Sequence, residues 1–128
     1  MESPSSHSRA LVGHLLSQLI QSCEYIATWN KGVTTEADYL SSTDGMEKMA
    51  ATCMLLESIG EGVKKIDRLM PDFLSTNAPS MPWKEIKGLR DHIAHGYFNL
   101  DASIILDVTV NEIPRLKEAF EGLRLTLG

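Results

Sequence analysis

The chain has little of what several common classes of protein require. Its 128 residues include only two cysteines, Cys23 and Cys53, with no CxxC pair, so we expect neither a disulfide framework nor a structural zinc site. No apolar run approaches the roughly 18 residues that a membrane-spanning helix needs. The start, MESPSSHSRA, is polar and has neither the basic beginning nor the compact apolar stretch of a secretory signal. We therefore expect a cytoplasmic protein.

Positive charge is also scarce. The formal net charge is -5, which disfavours a protein that coats nucleic acid, because that affinity comes mainly from lysine and arginine at the phosphates. Binding of a single nucleic-acid segment stays open as an alternative where basic residues cluster. The stretch 84–95 holds Lys84, Lys87 and Arg90 against Glu85 and Asp91. It is a weak basic site.

Hydrophobic residues recur at spacings of three and four along most of the chain, which is typical of amphipathic helices. With 43% hydrophobic and 23% charged residues, a chain of this length can bury a substantial core without crosslinks. The sequence predicts a single all-α domain over residues 1–128, an antiparallel bundle of four to five helices, with residues 1–7 flexible. The helices are expected at about 8–29, 44–69, 83–95, after Asp101 and from about Asn111, with a helix or turn at 35–40 and a loop at 71–82. The β-branched residues within 104–110 would also suit a strand, but the sequence offers no partner strand elsewhere.

The second long helix has two notable sequence features. Asp44 and Glu47 suggest a capping box at its start. Gly60 and Gly62 each cost about 1 kcal/mol relative to alanine inside a helix, so we expect close packing of another helix against them. We also expect the region around Gly60 to contribute to a contact between two copies of the chain.

Residues 88–98, GLRDHIAHGYF, concentrate titratable side chains at the end of the third predicted helix. Asp91 and His95 are four residues apart and share a helix face, so the carboxylate can orient the imidazole and favour its protonated form. Arg90 and His95 are about 140° apart around an ideal helix, so one straight helix cannot aim both at one phosphate. Either the chain unwinds into Gly96 or two chains contribute.

A plain structural interpretation of these residues stays open. Arg90 and Asp91 would then form a solvated face, and His95 would end the helix, where the helix dipole favours it. A zinc site at His92 and His95 is disfavoured, since no third ligand lies nearby in the sequence. The residues alone establish only a helix end that is capable of acid–base chemistry.

The string MPWKEIKGLRDHIAHGYFNLD, at 81–101, resembles the signature of the HEPN domains, in particular the HepT-like branch of toxin ribonucleases. The motif of that branch is arginine, four residues, histidine, one residue and tyrosine, and it is matched by Arg90, His95 and Tyr97. The stretch LLESIGEGVKK, at 55–65, and the segment ending NEIPRLK resemble other family helices. The resemblance extends over about residues 11–125.

The resemblance implies a homodimer whose motif helices form a composite cleft, and a metal-independent endoribonuclease without a cofactor. Arg90 would hold the scissile phosphate, and His95 would be the general acid or base for attack by the ribose 2′-hydroxyl. Asp91 would support that histidine. Lys84 and Lys87 would contact RNA, for which transfer RNA is one candidate.

The resemblance also implies a protein partner, a minimal nucleotidyltransferase antitoxin that transfers AMP to Tyr97. A rival interpretation is a non-catalytic module that only binds such a nucleotidyltransferase. It is motivated by the acidic net charge and by Asp91, which stands where this branch often has asparagine. A third interpretation, a nucleotide-binding accessory domain, rests on the weak basic site alone.

Overall fold

The computed structural model describes residues 5–93 and 100–128. Regular structure in these residues is helical, without a β-strand, which confirms the all-α prediction. The helices are α1 (Ser6–Trp29), α2 (Glu36–Leu40), α3 (Thr43–Leu69), α4 (Phe73–Asn77), α5 (Trp83–Lys87), α6 (Leu89–Ile93), α7 (Ala102–Asp107) and α8 (Ile113–Leu127), with a π-helical segment (Val108–Glu112) joining α7 to α8.

The three long helices form the centre of the bundle, with α1 packed against both α3 and α8. The Arg9 guanidinium donates to the Leu127 carbonyl at 2.8 Å, which joins the start of α1 to the end of α8. At the other end of α1, the Asn30 amide donates to the Thr52 hydroxyl of α3 at 2.9 Å. Both contacts show that α1 runs antiparallel to its two neighbours.

The core consists of the apolar residues that recur with helical period. Each large aliphatic or aromatic side chain buried in this way contributes about 1.5–3 kcal/mol relative to exposure. The most deeply buried of them line the inner faces of the long helices and the short segments packed on α3: Leu16, Ile26, Leu56, Ile59, Ile66, Ile93, Ile105 and Phe120.

A buried polar cluster fixes the connection between α1 and α3. The Asn30 side chain donates to the Ile26 carbonyl and to Thr52, and it accepts from the Tyr39 hydroxyl at 2.7 Å. Burial raises the pKa of Tyr39 above its ordinary value. Because these polar groups are hydrogen-bonded to one another, the protein avoids the free-energy cost of burying unpaired polar groups.

The close approach predicted at the two glycines of α3 is present, and it occurs within one chain. A Cβ on Gly60 would lie 2.9 Å from the Ile86 carbonyl oxygen of α5, and one on Gly62 would lie 2.9 Å from Leu19 Cδ2 of α1. Gly60 is buried by these intrachain neighbours. The close approach is thus explained within one chain, and the predicted contact between two copies around Gly60 stays a prediction.

The starts of two helices differ from the prediction. Helix α3 begins at Thr43, because the Ser42 hydroxyl accepts from the Gly45 N–H at 3.0 Å, so Asp44 is not the N-cap. Helix α1 begins at Ser6, two residues before the predicted start, and Ser5 caps it. The flexibility of residues 1–7 stays a prediction, and residues 1–4 lie outside the described part.

One predicted loop and one predicted helix also differ from the structure. The expected loop at 71–82 contains α4, and the helix expected at 83–95 is divided at Gly88. Asp101 caps α7 as predicted, since its carboxylate accepts from the Ile104 N–H at 3.1 Å.

Candidate functional site

The candidate site lies on the two short helices α5 and α6, which apolar contacts hold against α3. Trp83, Ile86, Leu89 and Ile93 are buried. The Trp83 indole N–H donates to the Ala78 carbonyl at 2.9 Å, and its ring packs 6.1 Å from that of Phe120. This anchoring leaves the opposite side of the two helices available to solvent.

Gly88 divides the predicted single helix in two. Its N–H is shared between the Lys84 and Glu85 carbonyls at 3.2 and 3.1 Å, and its own carbonyl accepts from the Asp91 N–H at 3.0 Å. The backbone passes from α5 to α6 through this tight turn, directly beside the close contact at Gly60. The turn and that contact together position Arg90.

Of the charged residues predicted at the site, Lys84, Arg90 and Asp91 are exposed and Lys87 is half-buried. Arg90 and Asp91 face solvent, and no carboxylate among residues 5–93 and 100–128 forms a salt bridge with Arg90. Lys84 is exposed as well. Lys87 is half-buried and paired with Asp67 of α3, so part of its charge is neutralised within the chain.

His95 and Tyr97 lie outside the described residues, and so do the other members of 94–99. The residues on either side are joined to each other, because the Asp101 N–H donates to the Ile93 carbonyl at 2.9 Å. Asp101 therefore lies beside the end of α6, the helix that carries Arg90. The predicted pairing of Asp91 with His95 stays a prediction.

The sequence matches a known protein family over most of its length. The family model for ribonuclease HepT-like proteins matches residues 15–123. The chain belongs to the HepT-like ribonuclease family. The match includes α3, α5 and α6, and with them the arginine of the candidate site.

Curated relatives agree with this assignment. The HepT-like chain is 30% identical over 109 residues to the "Probable ribonuclease HepT" of Thermococcus cleftensis, covering 85% of this chain and 92% of that protein. It is 33% identical to the "Putative RNase TTE0752" of Caldanaerobacter subterraneus subsp. tengcongensis, covering 80% and 85% of the two chains. It is 35% identical to the "Putative RNase MJ0125" of Methanocaldococcus jannaschii, covering 70% and 74%. No solved structure matches the chain significantly.

A cavity of about 480 Å³ adjoins the site helices of the HepT-like chain on the side of His92. Arg90 does not line this cavity, because Arg90 and His92 are about 160° apart around an ideal helix. The walls are mostly apolar and come from five elements, with polar groups from Glu85, His92, Glu112 and Arg115. Sequence reasoning missed this cavity, because its α8 wall is distant from the motif along the chain.

The described part of the HepT-like chain contains neither a cluster of potential metal ligands nor a cysteine of lowered pKa. Residues 5–93 and 100–128 contain no group of three histidine, cysteine, aspartate or glutamate side chains that could hold a metal ion. Burial raises the pKa of Cys23 to about 12 and that of Cys53 to about 11, so both thiols stay protonated near neutral pH. None of the described helices is long and apolar enough to cross a membrane.

Proposed function

We propose that this HepT-like chain is a metal-independent endoribonuclease and the toxin of a toxin–antitoxin pair. The observation that carries the proposal is Arg90, an exposed arginine without a salt-bridge partner among the described residues, on a short helix that leads into the motif histidine. An exposed guanidinium with free donors is suited to binding a phosphate in bidentate fashion. The family and the names of its relatives support ribonuclease chemistry.

In the proposed mechanism the RNA supplies its own nucleophile. His95 accepts the proton of the ribose 2′-hydroxyl as that oxygen bonds to phosphorus, while Arg90 binds the non-bridging oxygens and stabilises the charge that grows on them. The bond from phosphorus to the 5′-oxygen breaks, and that oxygen receives a proton from solvent, to which His95 releases the proton that it took up. The products are a 2′,3′-cyclic phosphate and a 5′-hydroxyl. Asp91 has a positioning role, since its carboxylate orients the imidazole of His95.

RNA binding beside the scissile phosphate depends on the few available cations. Lys84 is exposed and can contact the RNA backbone, whereas the pair with Asp67 makes Lys87 a weaker contributor. With a net charge of -5, the chain should bind structured RNA locally rather than coat it. Transfer RNA, whose fold presents phosphates at defined places, is the candidate substrate.

The test is incubation of the purified protein with total RNA in excess EDTA. The wild type should cleave, while Arg90→Ala and His95→Ala should each lose roughly 10²–10⁴-fold in rate, which is typical for removal of one acid–base or charge-stabilising group. Arg124→Ala, at an exposed position of α8, is the matched control for lost positive charge. Cleavage by both site variants at the wild-type rate would refute the assignment.

We further propose that a partner minimal nucleotidyltransferase inactivates the toxin by transferring AMP to Tyr97. The tyrosine oxygen attacks the α-phosphorus of ATP, its proton is lost to solvent, and pyrophosphate leaves. The new phosphodiester carries a negative charge two residues along the chain from His95. That charge repels an RNA phosphate, and the repulsion is strong where solvent is partly excluded.

The transfer of AMP to Tyr97 is tested by measuring the intact mass of the protein after co-expression with the partner. We expect an AMP-sized increase in the wild type and none in Tyr97→Phe, which should remain toxic. A neutralised wild type of unmodified mass would show that the partner acts by binding alone.

A second candidate function is a non-catalytic module that binds a nucleotidyltransferase. Asp91 favours it, because an exposed carboxylate next to Arg90 opposes a bound phosphate. Under this alternative, RNA stays intact in EDTA and in Mg²⁺, while the partner still binds. The cleavage assay therefore separates the two functions.

A further inference from the structure

The cavity of about 480 Å³ lies on the side of α5 and α6 that faces away from Arg90. Its volume is within the range of sites that hold one small molecule, roughly 300–1,000 Å³. None of the residues that the proposed ribonuclease chemistry uses lines it. The cavity is therefore separate from the candidate catalytic residues, although it shares two helices with them.

The two long walls of the cavity run antiparallel to each other. One wall is α5 with α6, and the other is α7, the π-helical segment and the start of α8. Ser80 and Arg115 lie at one end, since both also line the neighbouring depression. At the other end, the bond from the Asp101 N–H to the Ile93 carbonyl brings the end of α6 beside the start of α7. Residues at equal distances from these ends therefore face each other.

Apolar side chains from both walls line the middle of the cavity, among them Leu89, Ile104 and Val108. Val108 belongs to the π-helical segment, and Glu112 of the same segment also lines the cavity. Turns of π-helix are rare and occur frequently at functional sites. The irregular helix and the cavity therefore coincide.

The charges at the cavity are not balanced. Glu85 is three residues after Pro82. Glu112 is three residues before Arg115, so the antiparallel walls place the two glutamates opposite each other. Glu112 pairs with Arg115 at 3.5 Å, whereas Glu85 forms no salt bridge with any residue of 5–93 or 100–128. One negative charge is thus left uncompensated beside apolar walls.

We infer that this cavity binds an amphipathic amine, with the ammonium group between Glu85 and Glu112 and the apolar chain lying between α6 and α7. An apolar chain gains affinity from leaving water, and the free carboxylate selects a cation over an anion. Seven residues separate Glu85 from His92 at the far end, a helical rise of roughly 10 Å. That length suits an octyl chain.

The inference goes beyond the proposed ribonuclease and does not depend on it. The ligand would contact α5 and α6, the same helix pair that carries Arg90 on its other side.

Isothermal titration calorimetry with a series of simple amines tests the ligand class. Butylamine, hexylamine and octylamine, each below its micelle concentration, should bind at one molecule per chain. Each added pair of methylene groups should strengthen binding on the order of tenfold. Octylamine should also bind more tightly than octanol, and octanol more tightly than octanoate, because the three differ only in the charge of the head group.

Two substitutions in the π-helical segment test the location. Val108→Phe fills the cavity and should weaken octylamine at least about tenfold, since two or more methylene groups lose their place. Val110→Phe is the matched control, because Val110 is 51% exposed and does not line the cavity. It should bind octylamine as the wild type does.

A pair of nearly isosteric substitutions tests the charge. Glu85→Gln with Glu112→Gln should remove the preference for octylamine over octanol and leave octanol binding unchanged. Glu118→Gln with Glu121→Gln, at exposed positions of α8 outside the cavity, makes the same change of net charge and should keep the preference. Circular dichroism verifies that each variant is folded, and the glutamine pair decides the matter if Val108→Phe does not fold.

Four results would each overturn the inference: no binding of octylamine, an affinity that does not depend on chain length, octanoate binding as tight as that of octylamine, or equal effects of folded Val108→Phe and Val110→Phe. RNA cleavage is not measured in these titrations, so their failure is distinguishable from failure of the proposed catalysis.

Discussion

The contact between Gly60 of α3 and the backbone of α5 supports the helix pair that carries Arg90, and it can be tested by adding one methyl group. In Gly60→Ala the new Cβ would lie 2.9 Å from the Ile86 carbonyl oxygen and 3.9 Å from Leu89 Cβ. The close neighbour is backbone, so relief requires α3 and α5 to separate. Such overpacking costs about 1–3 kcal/mol, offset by about 1 kcal/mol of helix propensity that alanine gains over glycine.

The matched control is Gly122→Ala in α8, where no atom lies within 4 Å of the new Cβ. This variant should be stabilised by about 1 kcal/mol, since only the propensity term remains. The difference in unfolding free energy between the two variants should therefore equal the overpacking cost, about 1–3 kcal/mol. Gly62→Ala should fall between them, because the Leu19 side chain that it meets can change its rotamer. Urea denaturation followed by circular dichroism measures all three, and equal stability of Gly60→Ala and Gly122→Ala would refute the reasoning.

Three further predictions concern the interior and the caps. Tyr39→Phe removes the hydroxyl that donates to buried Asn30, so it should cost about 1–3 kcal/mol in urea denaturation; an unchanged midpoint would mean that the amide oxygen finds another donor. Two backbone N–H groups hold the pKa of Asp38 below its ordinary value, so Asp38→Asn should destabilise the protein at pH 7, and the difference from wild type should vanish as the pH falls through the lowered pKa. A difference that persists at low pH contradicts this account. Cys23 and Cys53, with pKa values raised to about 12 and about 11, should react with a disulfide reagent at pH 8 only after unfolding, and rapid labelling of the native protein would show that they are accessible.

The long helices were predictable because their apolar residues repeat with the period of the helix and the same residues are buried. The end of α3 at Leu69 also followed from sequence, since Pro71 cannot continue a helix. The break at Gly88 did not, because a glycine within a helical pattern is compatible with a continuous helix. It becomes evident only from the packing of α5 against Gly60, a contact between residues more than twenty positions apart.

The candidate site was partly predictable for the same reason. The exposure of Arg90 and Asp91 follows from the apolar period of their neighbours, which turns Leu89 and Ile93 inward. The pairing of Lys87 with Asp67 joins residues on different helices and has no local signal in the sequence. The π-helical segment at 108–112 could not be predicted from the sequence either, because its β-branched residues are compatible with a helix or a strand.

The central claim is that the RNA supplies its own nucleophile, the ribose 2′-hydroxyl. The most direct test uses an RNA with a single 2′-deoxy nucleotide at the mapped cleavage position. The account predicts that the wild-type protein in EDTA cuts the all-ribose RNA to a 2′,3′-cyclic phosphate and a 5′-hydroxyl, and that the deoxy substitution abolishes the cut at that position. Arg90→Ala should leave both RNAs intact over the same interval. Continued cleavage of the deoxy-substituted RNA, or products bearing a 5′-phosphate, would show that water rather than the ribose is the nucleophile and would contradict the mechanism.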